Sequence, residues 1–453
     1  MTLAALGDWL KTHQPGIRRL QWSVVLVYAL LVGLPAFLDL PDRAQHLWNS
    51  LTLFAQFVFW GLWWPLVLLA TLLLGRVWCG FLCPEGMLSE LASAKGLGHS
   101  PPRWMRWGGW PFAAFALTTL YGQMVSVYQY PKPALLILGG STLAAIAVGY
   151  LYGRNKRVWC RYLCPVNGVF GLLAKLSPLH FKVDPLAWGQ SQERHQPLPS
   201  FNCAPLVPVR NMQSAAACHM CGRCSGFRES VELSWRSPFS EIVTVAGHKP
   251  SSWESALILF GLMGVALGAF HWSGSAAFIA LKQALAEALV EMGILWPLEA
   301  TAPWWLLTDY PQLNDVMTIL DGVALILFIL GLMLFAGGAL AVLILAASLI
   351  CGTARVWRSF HHLVQALIPL AGAGVILGLS ALTVSILKSE GIVLPAVAEV
   401  RATLLGLAAL ASIHLGWKIL ALYAQGWRRL AAMAPMLGAV GLGTAVWGSL
   451  FWG

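Results

Sequence analysis

The sequence predicts an all-α polytopic membrane protein with about nine transmembrane helices, two tandem helical-hairpin repeats among them, and one irregular cysteine-bearing loop domain. Three observations carry this. Of 453 residues, 58% are hydrophobic and 11% charged, at a mean hydropathy of +0.69, whereas about a quarter of a soluble domain is charged. Nine apolar runs approach the length of about 20 residues that crosses a hydrocarbon core roughly 30 Å thick. A nine-residue motif occurs twice at the ends of such runs.

The runs lie near 21–40, 51–74, 108–128, 133–152, 253–272, 319–350, 363–387, 402–424 and 431–452. Residues Met1 to Gln21 are amphipathic, carry Lys11, Arg18 and Arg19, and lack a small-residue cleavage site, so the first helix is expected to stay as an anchor. Orientation follows the basic residues. With the N-terminus in the cytoplasm, the short inner segments 1–20, 75–107, 351–362 and 425–430 hold 11 Lys and Arg, and the outer segments hold five: Arg43, Lys132, Lys282, Lys388 and Arg401. The formal charge of +10 therefore marks topology and a lipid bilayer, not a nucleic-acid partner. The C-terminus is expected outside, in the periplasm of a bacterium whose inner membrane holds the chain. Residues 1–175 read as the two hairpin repeats, 176–252 as a cytoplasmic loop domain, and 253–453 as a C-terminal bundle.

The outer segment 273–318 is acidic, with Glu287, Glu291, Glu299, Asp309 and Asp315. Residues 276–293 have helical apolar spacing suited to the membrane surface, and Trp296, Trp304 and Trp305 suit an interfacial belt. Such a segment is either a dock for a periplasmic redox or metal-binding partner or simply a soluble loop.

The repeated motif is Arg76-Val77-Trp78-Cys79-Gly80-Phe81-Leu82-Cys83-Pro84 and Arg157-Val158-Trp159-Cys160-Arg161-Tyr162-Leu163-Cys164-Pro165, identical at seven of nine positions, 81 residues apart. Each copy is trailed by a glycine, Gly86 or Gly168, and an apolar stretch ending in Lys95 or Lys175. Tandem units in parallel orientation place equivalent residues around an axis along the membrane normal, which sets both cysteine pairs at the cytoplasmic face.

A third group, Cys203 with Cys218, Cys221 and Cys224, lies where Pro185, Pro197, Pro199, Pro205 and Pro208 argue for irregular structure. Eight of the nine cysteines thus fall in tight groups, and eight thiolates are the ligand set of two [4Fe–4S] clusters. Thiolates suit soft iron, and Pro84 and Pro165 fix the chain direction just past a ligand. Disulfides are disfavoured in a reducing compartment. A structural zinc fits the Cys203, Cys218, Cys221, Cys224 set by ligand count, but does not explain the repeated pair. Cys351 reads as a buried inert thiol. Arg76, Arg157, Trp78 and Trp159 are either interfacial anchors or, for the arginines, counter-charges to thiolate-bound clusters. Two pairings stay open: Cys79, Cys83, Cys160 and Cys164 share one cluster, or each membrane-edge pair joins two loop cysteines.

On these motifs residues 20–240 resemble the membrane-bound polyferredoxin family that includes NapH, NosR and CcoG. Cys218, Cys221 and Cys224 match the first three positions of that family's C-x-x-C-x-x-C-x-x-x-C-P stretch, Arg228 stands where the fourth cysteine would, and Cys203 is left to complete the set. Residues 251–453 have no counterpart in NapH. Extended polyferredoxins of similar build accompany Ftr-type ferrous-iron uptake systems, as an FtrD-type subunit beside a permease, a cupredoxin and an iron-binding protein. The resemblance implies a membrane electron-transfer component, quinol dehydrogenase-like in one form, that links a quinol or cytoplasmic redox pool to a periplasmic partner; a non-redox scaffold with structural zinc is the remaining alternative. Relay across the bilayer would use the quinone pool or a b-type haem, for which His361, His362 and His414 are the histidines in or beside the late spans.

Overall fold

The computed structural model describes residues 2–42, 44–193 and 201–452. Arg43, Pro197 and Pro199 lie outside the described residues. Helices dominate, with two small two-stranded sheets. Among the described residues, eight helices are long and apolar enough to cross a membrane: Gln14–Phe37, Leu51–Leu74, Pro131–Tyr152, Ser252–Gly274, Ile319–Ile350, Val356–Ser389, Val397–Leu420 and Gly426–Trp452. The chain is a polytopic, all-α membrane protein.

The ninth run, 108–128, is shorter than its composition suggests. Its helix covers only Trp110–Met124, 15 residues, or about 22 Å at 1.5 Å per residue. The chain then turns through Ser126, whose φ of 48° lies in the left-handed region.

The chain divides into two compact units. The first comprises Met1–Gly33, Trp64–Ala114 and Gly139–Pro250. Here the helix Pro84–Ala94 packs on Gly140–Tyr152 through small residues. A Cβ on Gly149 would lie 2.4 Å from the Ser89 carbonyl, and one on Gly153 2.4 Å from Ser93 Cβ, so the two backbones approach as small-residue interfaces in membranes do. Strand Leu179–Val183 pairs antiparallel with Val231–Trp235 in the register Leu179 to Trp235 through Val183 to Val231. Alternate residues Phe181, Val231 and Leu233 form a core with Val209 and Met220, on which Leu3 and Leu6 of the N-terminal helix pack. The segment expected to be irregular throughout is therefore a loop framed by a hairpin. Nor is Pro185 a loop residue: it opens the helix Pro185–Glu193, because proline suits a first helical position and the Asp184 carboxylate accepts from the Leu186 and Ala187 amides at 2.8 and 3.2 Å.

The second unit comprises Leu34–Trp63, Phe115–Leu138 and Ser251–Gly453. Val265, Ala269, Leu325 and Ile329 form part of its core, where Gly268 lets Ser252–Gly274 approach Ile329 closely. A capping box of Thr318 and Asp321 starts the 32-residue helix Ile319–Ile350. In the acidic segment, the helix Ala276–Glu291 has no buried residue. Glu287, Glu291 and Glu299 are exposed and Asp309 and Asp315 half-buried. Asp315 accepts a 2.6 Å hydrogen bond from Tyr130, whose ring stacks on Tyr310 at 3.6 Å. Five free carboxylates on that segment are thus reduced to three fully exposed ones.

Candidate metal centre

All eight grouped cysteines fall in the first unit, as free thiols. The two motif copies fold alike. Arg76 and Arg157, at ψ of 43° and 67°, lead into the short helices Val77–Phe81 and Val158–Tyr162. The second cysteine of each copy donates its amide to the tryptophan carbonyl five residues back, Cys83 to Trp78 at 2.9 Å and Cys164 to Trp159 at 3.1 Å. That turn brings cysteines four residues apart toward one face. Cys83 then caps the helix Pro84–Ala94, its sulfur accepting from the Gly86 amide at 3.4 Å. Cys218 accepts likewise from the Met220 amide at 3.4 Å.

The loop is pinned to both copies. Arg76 Nη1 donates to the Ala216 carbonyl at 2.8 Å, just ahead of Cys218. The Arg157 amide donates to the Ala204 carbonyl at 2.8 Å, and Lys156 Nζ to the Cys203 carbonyl at 3.1 Å. Glu241 holds Ser214 Oγ at 2.6 Å and the Ala215 amide at 2.9 Å. Gln14 Nε2 binds the Cys221 carbonyl at 2.9 Å and Lys11 Nζ the Ser225 carbonyl at 2.9 Å.

Burial and neighbouring charge shift several of these thiols. Burial first, then charge on Cys160 and Cys79, pushes Cys83 up, and Cys164 is pushed up by burial, Glu85, Cys160, Cys83 and Cys79. Cys160 goes up to about 12 through burial and Cys79, with Arg157 opposing. Cys218 goes up to about 12 through burial, Cys221 and Cys203, while Cys224 rises through burial, Cys218, Cys221 and Cys203. Cys203 rises through burial and Cys221. By these influences Cys79, Cys83, Cys160 and Cys164 act on one another, as do Cys203, Cys218, Cys221 and Cys224.

Neighbouring thiolates repel one another in a partly buried site, so without a cation the thiols that are pushed up hold protons, which a metal must displace. Two arginines set positive charge against this. Arg76 Nη2 lies 3.7 Å from Cys79 Sγ, and Arg157, 2% exposed, donates Nη1 to the Cys79 carbonyl. Among the described residues, Arg76 Nε and His219 Nδ1 are buried with no hydrogen-bond partner. His219 is held well below its usual range by burial and by Arg76, Arg157, Arg161 and Arg223. Among the described residues no three His, Cys, Asp or Glu side chains converge so as to hold one ion; a cube differs in setting its four thiolates at separate corners. The donor set, amide-to-sulfur bonds and arginines fit a [4Fe–4S] group.

Several residues here escape a sequence reading. Gly80 is one: a Cβ there would lie 2.1 Å from the His219 carbonyl, so the cysteine loop seats directly on the first motif. Arg161 takes the equivalent place in the second copy. Glu90 is another, its carboxylate bridging Arg157 Nε at 2.8 Å and Arg223 Nη1 at 2.6 Å. Burial raises Glu90, yet the two guanidinium groups outweigh it and hold the carboxyl below its ordinary range.

His361 Nδ1 meets Ser255 Oγ at 2.9 Å, His362 Nδ1 meets Tyr423 Oη at 2.9 Å, and His414 lies on an exposed helix face. The sequence around the first two carries an overlooked signal. Arg355-Val356-Trp357 repeats the opening of both motifs, Arg355 again precedes a helix at ψ 58°, and Arg358 and His362 stand where the two cysteines would.

Known proteins agree with the cysteine-bearing segments. A family model described as a 4Fe-4S binding domain matches residues 56–102 and 135–184, which contain Cys79, Cys83, Cys160 and Cys164. The "Putative electron transport protein YccM" of Escherichia coli (strain K12) is 25% identical over 233 residues, 45% of this chain and 63% of that protein. The chain thus spans less than two thirds of that relative's length. No solved structure matches. The paired Cys-x-x-x-Cys-Pro segments of this helical membrane protein are, on these grounds, similar to iron–sulfur-binding segments of electron-transport type.

Proposed function

We propose that the chain is a membrane electron-transfer protein carrying two [4Fe–4S] clusters, one on Cys79, Cys83, Cys160 and Cys164 and one on Cys203, Cys218, Cys221 and Cys224. The observation that carries this reading is that the loop bearing Cys203, Cys218, Cys221 and Cys224 is hydrogen-bonded to both Cys-x-x-x-Cys-Pro copies through Arg76, Arg157 and Lys156. The bound groups would supply one-electron chemistry. The chain's own residues hold the sulfurs at fixed places, bury them, and set Arg76, Arg157 and Arg223 beside them as counter-charge. Electrons then pass between a quinol or cytoplasmic pool and a periplasmic partner. A second reading is favoured by the extra bundle of residues 251–453: a redox subunit of an Ftr-type iron-uptake complex, exchanging electrons with a periplasmic cupredoxin while a separate permease moves iron.

Anaerobically purified protein is expected to hold about eight irons and eight labile sulfides per chain, with absorbance that bleaches on reduction. Zinc at one or more equivalents with little iron would refute the reading.

A further inference from the structure

A cavity of about 530 Å³ opens beside the first turns of the span Gln14–Phe37, lined by Ile17, Arg18, Arg19, Trp22, Glu90 and Arg223 among others. Its size is that of a small-molecule site. Its charge is unbalanced: three guanidinium groups face one carboxylate, and that carboxylate is already shared with Arg157, which does not line the cavity. Arg223 Nε is spent on Gln14 Oε1 at 3.2 Å. Arg18 and Arg19 are exposed, and among the described residues neither side chain has a hydrogen-bond or ion-pair partner. Immediately beyond them Leu20, Trp22 and Leu26 are exposed on the span, which puts the arginines at the level of lipid headgroups.

We propose that this cavity holds the phosphate of an anionic phospholipid, with Arg18, Arg19 and Arg223 donating to its oxygens and Ile17 and Trp22 covering the start of an acyl chain. Guanidinium groups match phosphate in geometry as well as charge, and basic pockets beside membrane helices take such headgroups. A soluble phosphate ester offers the same oxygens without the chain, so the two sources are separable. The proposal differs from the clusters in its ligand and its readout, although one of its donors, Arg223, lies on the cysteine loop between Cys221 and Cys224.

The test reconstitutes the full protein, purified anaerobically, into phosphatidylcholine nanodiscs with and without phosphatidylglycerol. Native mass spectrometry counts retained phosphatidylglycerol, and a thermal melt follows stability. The expected result is one phosphatidylglycerol retained per chain and a higher melting temperature with it. The double variant Arg18→Gln/Arg19→Gln should reduce retention at least about ten-fold, while Arg18→Lys/Arg19→Lys keeps part of it, because charge without the planar fork is a weaker match. The control Arg103→Gln/Arg106→Gln, at exposed arginines that do not line the cavity, should leave retention unchanged. Equal loss in that control would reduce the effect to general surface attraction and overturn the site. Stabilisation by glycerol 3-phosphate as large as by the lipid would overturn the lipid source in favour of a soluble ester. Retention of an acidic redox protein through Arg18 and Arg19, without any lipid preference, would overturn it in favour of a protein dock.

Discussion

At the scale of single residues, the cysteines and the charges around them make separable statements. With the paired arrangement, Cys221→Ser abolishes one centre and leaves the other held by Cys79, Cys83, Cys160 and Cys164. The surviving spectrum should then respond to Cys79→Ser and ignore a further Cys203→Ser; loss of the signal on changing Cys203 would establish the crossed arrangement instead. Glu90 bears on stability. Replacing it by Ala leaves the buried Arg157 without its carboxylate, and breaking a buried pair in this way costs about 3–5 kcal/mol. The effect depends on pH with a definite sign. Because the folded carboxyl is held below its ordinary range, its contribution is present above that range and lost as pH falls through the folded value. Unfolding measured across acidic pH should therefore show wild type and Glu90→Gln diverging above the ordinary carboxylate range and converging below the folded value.

At the scale of elements, the short motif helices work by close approach to the cysteine loop. Gly80→Ala forces a methyl group into the His219 carbonyl, so the loop must move off the helix Val77–Phe81. We expect this one-carbon change to lower cluster occupancy, measured as iron per chain, well below that of the surface change Gly189→Ala, where a Cβ meets nothing within 4 Å. If Gly80→Ala assembles to wild-type iron content, the seating of the loop on that helix does not matter to assembly. The acidic segment 273–318 is proposed as a dock for a periplasmic redox or metal-binding protein. Glu287, Glu291 and Glu299 are the exposed carboxylates through which it would act, since Asp315 is engaged by Tyr130. Reversing those three charges should slow partner-dependent turnover and flatten its salt dependence; turnover unchanged in both respects would make the segment a soluble loop.

At the scale of the molecule, the grouping of the cysteines bears on topology. Cys79 follows the span Leu51–Leu74 and Cys160 follows Pro131–Tyr152, so both can share one side only if the chain crosses once more, between Cys79 and Pro131. The helix Trp110–Met124 must make that crossing with its flanking residues, although it is shorter than the eight long spans. We propose that the chain makes nine crossings from a cytoplasmic N-terminus, which would put the C-terminus in the periplasm of an inner membrane. A reporter fused at the C-terminus should accordingly be active in the periplasm, and activity confined to the cytoplasm would show an even number of crossings.

Membrane insertion and the helical class were legible in the sequence, because apolar runs long enough to span a bilayer need no tertiary partner to be recognised. So were the eight cysteines as a group: the motif recurs in nearly identical form, and the chemistry of thiolates is carried by residue type. What the sequence left open depends on distances between segments far apart in the chain. The repeat makes Cys79 and Cys160 equivalent about one axis, but the order of residues leaves open whether Cys203, Cys218, Cys221 and Cys224 stay together or join the membrane-edge pairs; how the loop lies against the motifs, pinned by Arg76, Arg157 and Lys156, belongs to the tertiary structure. Glu90 and Arg223 look like ordinary surface charges in a helix and a loop until the fold brings them together across 133 positions. The third Arg-Val-Trp at 355–357 was visible but carried no cysteine to draw attention to it. The hairpin Leu179–Val183 with Val231–Trp235 joins strands separated by a long proline-bearing loop, so only long-range pairing reveals it. Periodicity and residue chemistry are local properties; which ligands share a site is a property of the packed chain.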